Sequence, residues 1–254
     1  MNVTLLSHTP DALNLLLRTK NTRLGFDADP STWPEEKKAE HLAYMLDTIK
    51  SSWEFVDYTF QIDDVSRAFT HQLVRSRTGS YAQESQRTVD VSKHGVMMPP
   101  MLRDSDNGVA AAMWEIAADE AMSTYAELMA AGIPAQDARG ILPTNVLTSI
   151  VCKFNLRSLS DMAKLRLCTR TQGEYQDVFR LMRSRVLEVH PWTEAFLQVH
   201  CVATGTCAFP RYGKVECPVY LPEMDNTAVR EAAKLKFWGV RHEATPIARE
   251  GKAS

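Results

Sequence analysis

Residues 75 to 87 read RSRTGSYAQESQR, with Gln72 just upstream. Three arginines and three serines share the stretch with a single large apolar side chain, Tyr81. Guanidinium groups fork onto paired oxygens, and hydroxyls and loop amides add further donors, so this composition suits the binding of a phosphate or carboxylate. It does not suit a general nucleic-acid binder, because the whole chain is slightly acidic, with net charge −2 and pI about 6.4. The anion must be small.

The chain carries neither Gly-x-Gly-x-x-Gly after a strand nor Gly-x-x-x-x-Gly-Lys-Ser/Thr, so arginines, hydroxyls and amides must themselves hold any phosphate. It also lacks His-Glu-x-x-His, paired Cys-x-x-Cys and the Gly-x-Ser-x-Gly elbow. Cys152, Cys168, Cys201, Cys207 and Cys217 are few and odd in number, and MNVTLLSHTPD has neither a basic segment nor a long apolar run. A reduced, cytoplasmic protein is expected. No apolar run approaches the ~20 residues of a membrane span. Cys201, Cys207 and Cys217 lie near His200 and raise a zinc site, but their spacing is irregular and ordinary reduced thiols are the favoured reading.

These residues must be positioned by a mixture of helices and strands. MNVTLLSHT predicts a strand, and Asp11 a cap for the helix over 11–23. A second helix is expected from Pro34 to Ser52, and alternation over 54–65 predicts a half-buried strand. Val65, Ala68, Phe69 and Leu73 stripe a helix over 65–77, which loses its period at Thr78-Gly79 and leads through a loop to a strand, QRTVDV, over 86–91. A long helix over 106–132 ends at Gly132, and a short one, AQDARGI, follows Pro134. VLTSIVCKF reads as a strand, 156–167 and 172–189 as helices, and a short helix follows Trp192. The tail adds an amphipathic helix over 226–240 and a loose end. One α+β domain over 1–220 and a C-terminal extension over 221–254 is the economical organisation.

The run Gln72-Leu73-Val74-Arg75-Ser76-Arg77, then Ser80, Ser85 and Arg87, resembles the signature of the flavin-dependent thymidylate synthases, the ThyX family. That signature is Q-x-x-R-H-R-x-x-S-x-x-x-x-S-x-R, and every position agrees except the central His, here Ser76. ARGILPTN (138–145) resembles the family's A-R-x-x-L-P-x-N, and FNLRSLSDMAKLR (154–166) its N-x-R helix. The blocks occur in order, and the resemblance covers roughly residues 1 to 200.

The resemblance implies a helix-rich α+β fold with an antiparallel sheet, assembled as a homotetramer whose sites form where subunits meet. It implies conversion of dUMP to dTMP, with the carbon from methylene-tetrahydrofolate, the hydride from reduced FAD, and NADPH as reductant. Carried over by position, Arg75 and Arg166 are the catalytic candidates, Arg75 between dUMP and FAD and Arg166 at the uracil edge. Gln72, Gln83, Glu84, Ser85, Arg87 and Arg139 are implied on dUMP, with Ser85, Arg87 and Arg139 at its phosphate. Ser76, Arg77, Thr78, Asn155, Arg157 and Asp161 are implied on the flavin.

The departures fall mainly on the flavin side. Ser76 replaces the motif His, Phe55 the His of F-E-H, Asp161 an Asn, and Thr88 a Tyr after the last motif arginine. Asp161, four residues beyond Arg157, is expected to pair with it. The changes leave open a relative that hydroxymethylates C5 or accepts dCMP, and a silent nucleotide-binding homologue. Taken alone, Arg75, Arg77 and Arg87 also read as a solvated face, Arg139 as a helix C-terminal cation and Arg166 as a salt-bridge partner.

Overall fold

The computed structural model describes residues 1–104 and 106–209. Two compact units are present, Met1–Val199 and a second beginning at His200. The expected boundary at 220, the helix over 226–240 and Cys217 lie outside the described residues.

In the first unit, β1 (Asn2–His8) is followed by α1 (Ala12–Arg23) and α2 (Glu35–Leu46). Asp11 precedes α1 but does not cap it through its side chain. Its backbone is left-handed (φ 46°) and its carboxylate accepts from the Asn14 amide at 2.9 Å. Pro34 stands just before α2, which stops at Leu46 rather than Ser52; Lys50–Phe55 forms a 3-10 turn that buries Trp53.

β2 (Asp57–Ser66) turns Tyr58, Phe60 and Ile62 into the core and leaves Thr59 and Gln61 half-buried, the period-2 pattern of a strand with one covered face. A bulge between Ile62 and Val65, with Asp64 at φ 54°, bends its end, and Val65 and Ser66 still pair with Thr148 and Leu147. Val65 therefore belongs to the strand. The helix α3 (Arg67–Leu73) starts later than expected because the Ser66 hydroxyl accepts from the Phe69 amide and caps it.

α3 also ends at Leu73 rather than 77, where tight turn bonds from Arg75 and Ser76 amides to Gln72 and Leu73 carbonyls take over. A strand lies inside the motif itself, β3 (Ser80–Gln83), where a loop was expected. The strand expected over 86–91 is instead turned, because Ser85 accepts from Val89 N through its carbonyl and from Arg87 N through its hydroxyl.

α4 (Pro100–Arg103) and α5 (Gly108–Ala130) follow, α5 capped by Asn107 and terminated with left-handed Gly132 as expected. α6 (Ala135–Ala138) and a 3-10 turn (Arg139–Ile141) lead to β4 (Leu147–Asn155), α7 (Leu156–Arg166) and α8 (Gly173–Val189), closed by a 3-10 turn over Pro191–Phe196. In the second unit α9 spans His200–Thr204.

The sheet is antiparallel in the order β1-β2-β4-β3. Its core gathers Tyr58, Phe60, Phe69, Phe154, Tyr175 and Phe179, and each such side chain contributes roughly 1.5–3 kcal/mol by leaving water. The helix-rich α+β expectation agrees with this architecture. No helix among the described residues is long and apolar enough to cross a membrane.

Candidate nucleotide and cofactor site

The arginine-bearing turn after α3 is pinned from beneath. The Tyr81 hydroxyl donates to the Ser76 carbonyl at 2.5 Å, with the Leu73 carbonyl a second acceptor at 3.0 Å. Its ring meets Phe154 edge-on at 5.7 Å, and burial pushes the phenol's pKa up, so the hydroxyl stays a donor. Gly79 is required by close approach: a Cβ there would lie 2.3 Å from Phe154 Cε1 and 2.7 Å from the Tyr81 hydroxyl. Arg75, Arg77 and Thr78 are thereby presented, exposed, on a rigid support.

A second group lies beyond β3. Arg67 Nη1 donates to the Glu84 carbonyl at 3.0 Å, and the Glu84 carboxylate meets His94 Nε2 at 2.8 Å. Gln83 donates to the Thr70 hydroxyl at 2.6 Å. Glu84 and Gln83 thus brace the segment that exposes Ser85 and Arg87. Burial, and then the field of Arg139, lower the Arg67 pKa, so two cations act on one place. Arg67 Nε is buried and meets no partner among the described residues, and the exposed Arg139 donates from Nε to the Gln136 carbonyl at 3.2 Å. Among the described residues, Arg75, Arg77, Arg87 and Arg139 form no ion pair, which leaves them available to an anion.

Arg166 closes α7 and lies over the Tyr175 ring, its Cζ 4.3 Å from the centroid. It pairs with no carboxylate among the described residues, so the salt-bridge reading does not hold there. Tyr175 is fully buried and stands edge-on to Phe69 at 5.0 Å. The Gln72 amide, on the last turn of α3, donates to Gln172 at the head of α8.

Asn155, Arg157 and Asp161, implied on the flavin, are each held by a partner outside that set. The Asn155 side chain caps α7 by accepting from Ser158 N at 2.8 Å. Arg157 meets Glu54 at 2.5 Å, and Asp161 meets Lys164 at 3.0 Å and Lys50 at 3.7 Å. The expected Arg157–Asp161 pair is therefore not formed, because Arg157 turns to the 3-10 segment that carries Glu54 and Phe55. Glu84 pairs through its amide with Ser149 at one end of β4, and Asn155 stands at the other. At about 3.4 Å per residue, Asn155 and the Glu84 end of the phosphate segment lie roughly 20 Å apart along the strand, whereas Ser76, Arg77 and Thr78 are continuous with Arg75. Asn155 and the Ser85–Arg87 segment do not converge within one chain.

Burial pushes the Cys152 thiol up to about 12, so it is no nucleophile near neutral pH. No group of three His, Cys, Asp or Glu among the described residues is gathered to hold a metal ion, and Cys207 accepts from Phe209 N at 3.3 Å. Arg67, His94, Gln172 and Tyr175 were missed in the sequence. Arg67 had a signal: it stands four positions before His71, on one polar stripe of α3.

Residues 4–192, which include the pinned turn, the paired cations and Arg166, match the family described as thymidylate synthase complementing protein. The chain belongs to that family. A flavin-dependent thymidylate synthase from Nitratidesulfovibrio vulgaris is 36% identical over 224 residues, covering 81% of this chain and 90% of the relative. One from Geobacter sulfurreducens is 35% identical over 217 residues, covering 82% and 90%, and one from Sulfurisphaera tokodaii 33% over 212, covering 80% and 79%. For a thymidylate synthase complementing protein, the expected likeness to the flavin-dependent enzymes is thus borne out well beyond the signature.

Proposed function

We propose that the chain is a flavin-dependent thymidylate synthase, methylating C5 of dUMP to give dTMP. The observation that carries this is the survival of the arginine turn, pinned by Tyr81 and unpaired, within a chain similar over four-fifths of its length to relatives of that name. In this reading Arg139, Ser85 and Arg87 hold the dUMP phosphate, with Arg67 bracing their segment through Glu84. Gln72 and Arg75 hold the nucleoside, and Arg166 donates to the uracil edge and stabilises negative charge as it develops there.

The unpaired Arg75 and Arg77, with Thr78 and Ser76, fit a flavin nucleotide, whose pyrophosphate needs cations and donors. Asn155, Arg157 and Asp161 would line the site from α7, with Arg157 engaged by Glu54 and Asp161 by Lys164. FAD, reduced by NADPH, supplies the hydride that completes the methyl group delivered as a methylene by methylene-tetrahydrofolate. The chain's own part is to orient, neutralise and exclude water; the inert Cys152 fits a reaction without a thiolate nucleophile.

The roughly 20 Å between Asn155 and the Ser85–Arg87 segment supports sites completed by a second subunit. Self-association has a ready surface. Val109, Met113 and Ile116 lie on one face of α5, 67–72% exposed, with Met101 of α4 at 85%. We assign a homotetramer, a catalytic domain over 1–220 with 221–254 as an extension, and a cytoplasmic location. Hydroxymethylation, dCMP as substrate and a silent homologue are not favoured.

The test is anaerobic incubation of the full chain with FAD, NADPH, methylene-tetrahydrofolate and dUMP, read by mass spectrometry. A product heavier than dUMP by one CH2 is expected. A hydroxymethylated nucleotide, or binding without turnover, would overturn the assignment.

A further inference from the structure

The first turn of α8 touches both ends of α3 and the end of α7, the two helices that carry Gln72 and Arg166. Gln172 receives the Gln72 amide from the end of α3. The Glu174 carboxylate receives the Ser66 amide and hydroxyl at the start of α3. Gln176 Nε2 donates to the Leu167 carbonyl at 3.1 Å, the residue directly after Arg166. Tyr175 stands between these anchors, wholly buried, its edge set by Phe69 and its face covered by the Arg166 guanidinium at 4.3 Å.

An arginine side chain at a helix end has many rotamers, and fixing one of them costs binding free energy unless it is fixed beforehand. A buried aromatic face does that: it attracts the cation and leaves the guanidinium edge, with its in-plane N–H groups, directed away from the ring normal. The Tyr175 hydroxyl meets no partner of hydrogen-bond geometry among the described residues. Ser76 and Arg166 nonetheless stand close enough to act on it as hydrogen-bonding neighbours, which offsets part of the rise in its pKa that burial causes. The contact with Arg166 is through the ring, which is the part of Tyr175 that bears on the guanidinium.

We propose that Tyr175 is a positioning residue for pyrimidine recognition: its ring pre-organises Arg166 for the base, and α8 fixes that ring relative to the α3 turn. This rests on the assignment of Arg166 to the uracil edge. It makes a separable claim, that base affinity passes through a residue that does not touch the base.

The test is calorimetric titration of the full-length, FAD-loaded protein with dUMP, and with 2-deoxyribose 5-phosphate as a ligand lacking the base. Tyr175→Phe should keep dUMP affinity within about threefold, because the ring remains. Tyr175→Leu, with Tyr175→Met as a second variant that fills similar volume, should weaken dUMP about tenfold, the scale of a desolvated cation–π contact. Neither should change the sugar phosphate's affinity more than about twofold. Arg166→Ala should lose a similar amount, and combining it with Tyr175→Met should lose no more. Equal weakening of dUMP and sugar phosphate, or additive losses in the double variant, would overturn the proposal. Full dUMP affinity in Arg166→Ala would instead overturn the assignment of Arg166 beneath it.

Discussion

The Glu174 carboxylate, 3% exposed, accepts the Ser66 backbone amide at 2.6 Å and also its hydroxyl, across 108 positions of sequence. The same hydroxyl accepts from Phe69 N at 3.0 Å and so starts the helix that ends in the arginine turn. Removing the carboxylate leaves the Ser66 N–H buried without its acceptor and opens a cavity. Glu174→Ala is expected to cost about 2–4 kcal/mol in urea unfolding. Glu174→Gln, which keeps one acceptor, should cost about half of that. Equal stability of both variants with the parent would contradict the assigned role.

His190 is buried beside Tyr58, His8 and Trp192, and its Nδ1 shares a hydrogen bond with the Tyr58 hydroxyl at 2.9 Å. Burial, and then the field of His8, push its pKa down to about 4. A lowered histidine pKa means the native state refuses a proton that the unfolded chain accepts. Its contribution is fully present above the ordinary value near 6.5 and falls as pH drops toward 4, by up to about 3 kcal/mol. The measurement is unfolding free energy at pH 7 and pH 4.5. In His190→Gln, which does not titrate, that part of the slope should vanish.

Gly79 leaves no room for a methyl group against Phe154 and Tyr81. Gly79→Ala should displace the Tyr81 hydroxyl from the Ser76 carbonyl, cost about 1–3 kcal/mol, and weaken dUMP at least tenfold. Thermal melting and dUMP titration together check this. Unchanged affinity would mean the turn needs no support from beneath.

The exposed face of α5 offers a direct test of assembly. Met113→Lys with Ile116→Lys should lower the mass seen by light scattering below that of a tetramer, because a buried lysine on an apolar contact is costly. Helical content should not change, since both side chains are exposed within one chain. An unchanged mass would place the contact elsewhere.

What the sequence made legible was whatever depended on local period. Tyr58, Phe60 and Ile62 announced β2 by alternation, and Gly132 the end of α5. What it hid depended on partners distant along the chain. Residues 80–83 look like a polar loop until β4 supplies an edge for them to join. Arg157 preferred Glu54, 103 positions away, over Asp161 one helical turn on. Tyr175 gave no signal because its covering guanidinium comes from another helix. The arginines were legible as anion-binding by type alone, but their supports were not.

β3 is the last strand in the sheet order, four residues long and bonded only to β4 among the described residues, and it is continuous with the nucleotide-binding stretch. Border strands of this kind open at a smaller free energy than the strands they fringe, so amides of 80–83 should exchange with solvent well before those of β2. A ligand that grips Ser85 and Arg87 then closes the same opening reaction. Occupancy of the site and integrity of the sheet's hem become one linked equilibrium, with deuterium uptake at Tyr81 and Ala82 a gauge of nucleotide bound.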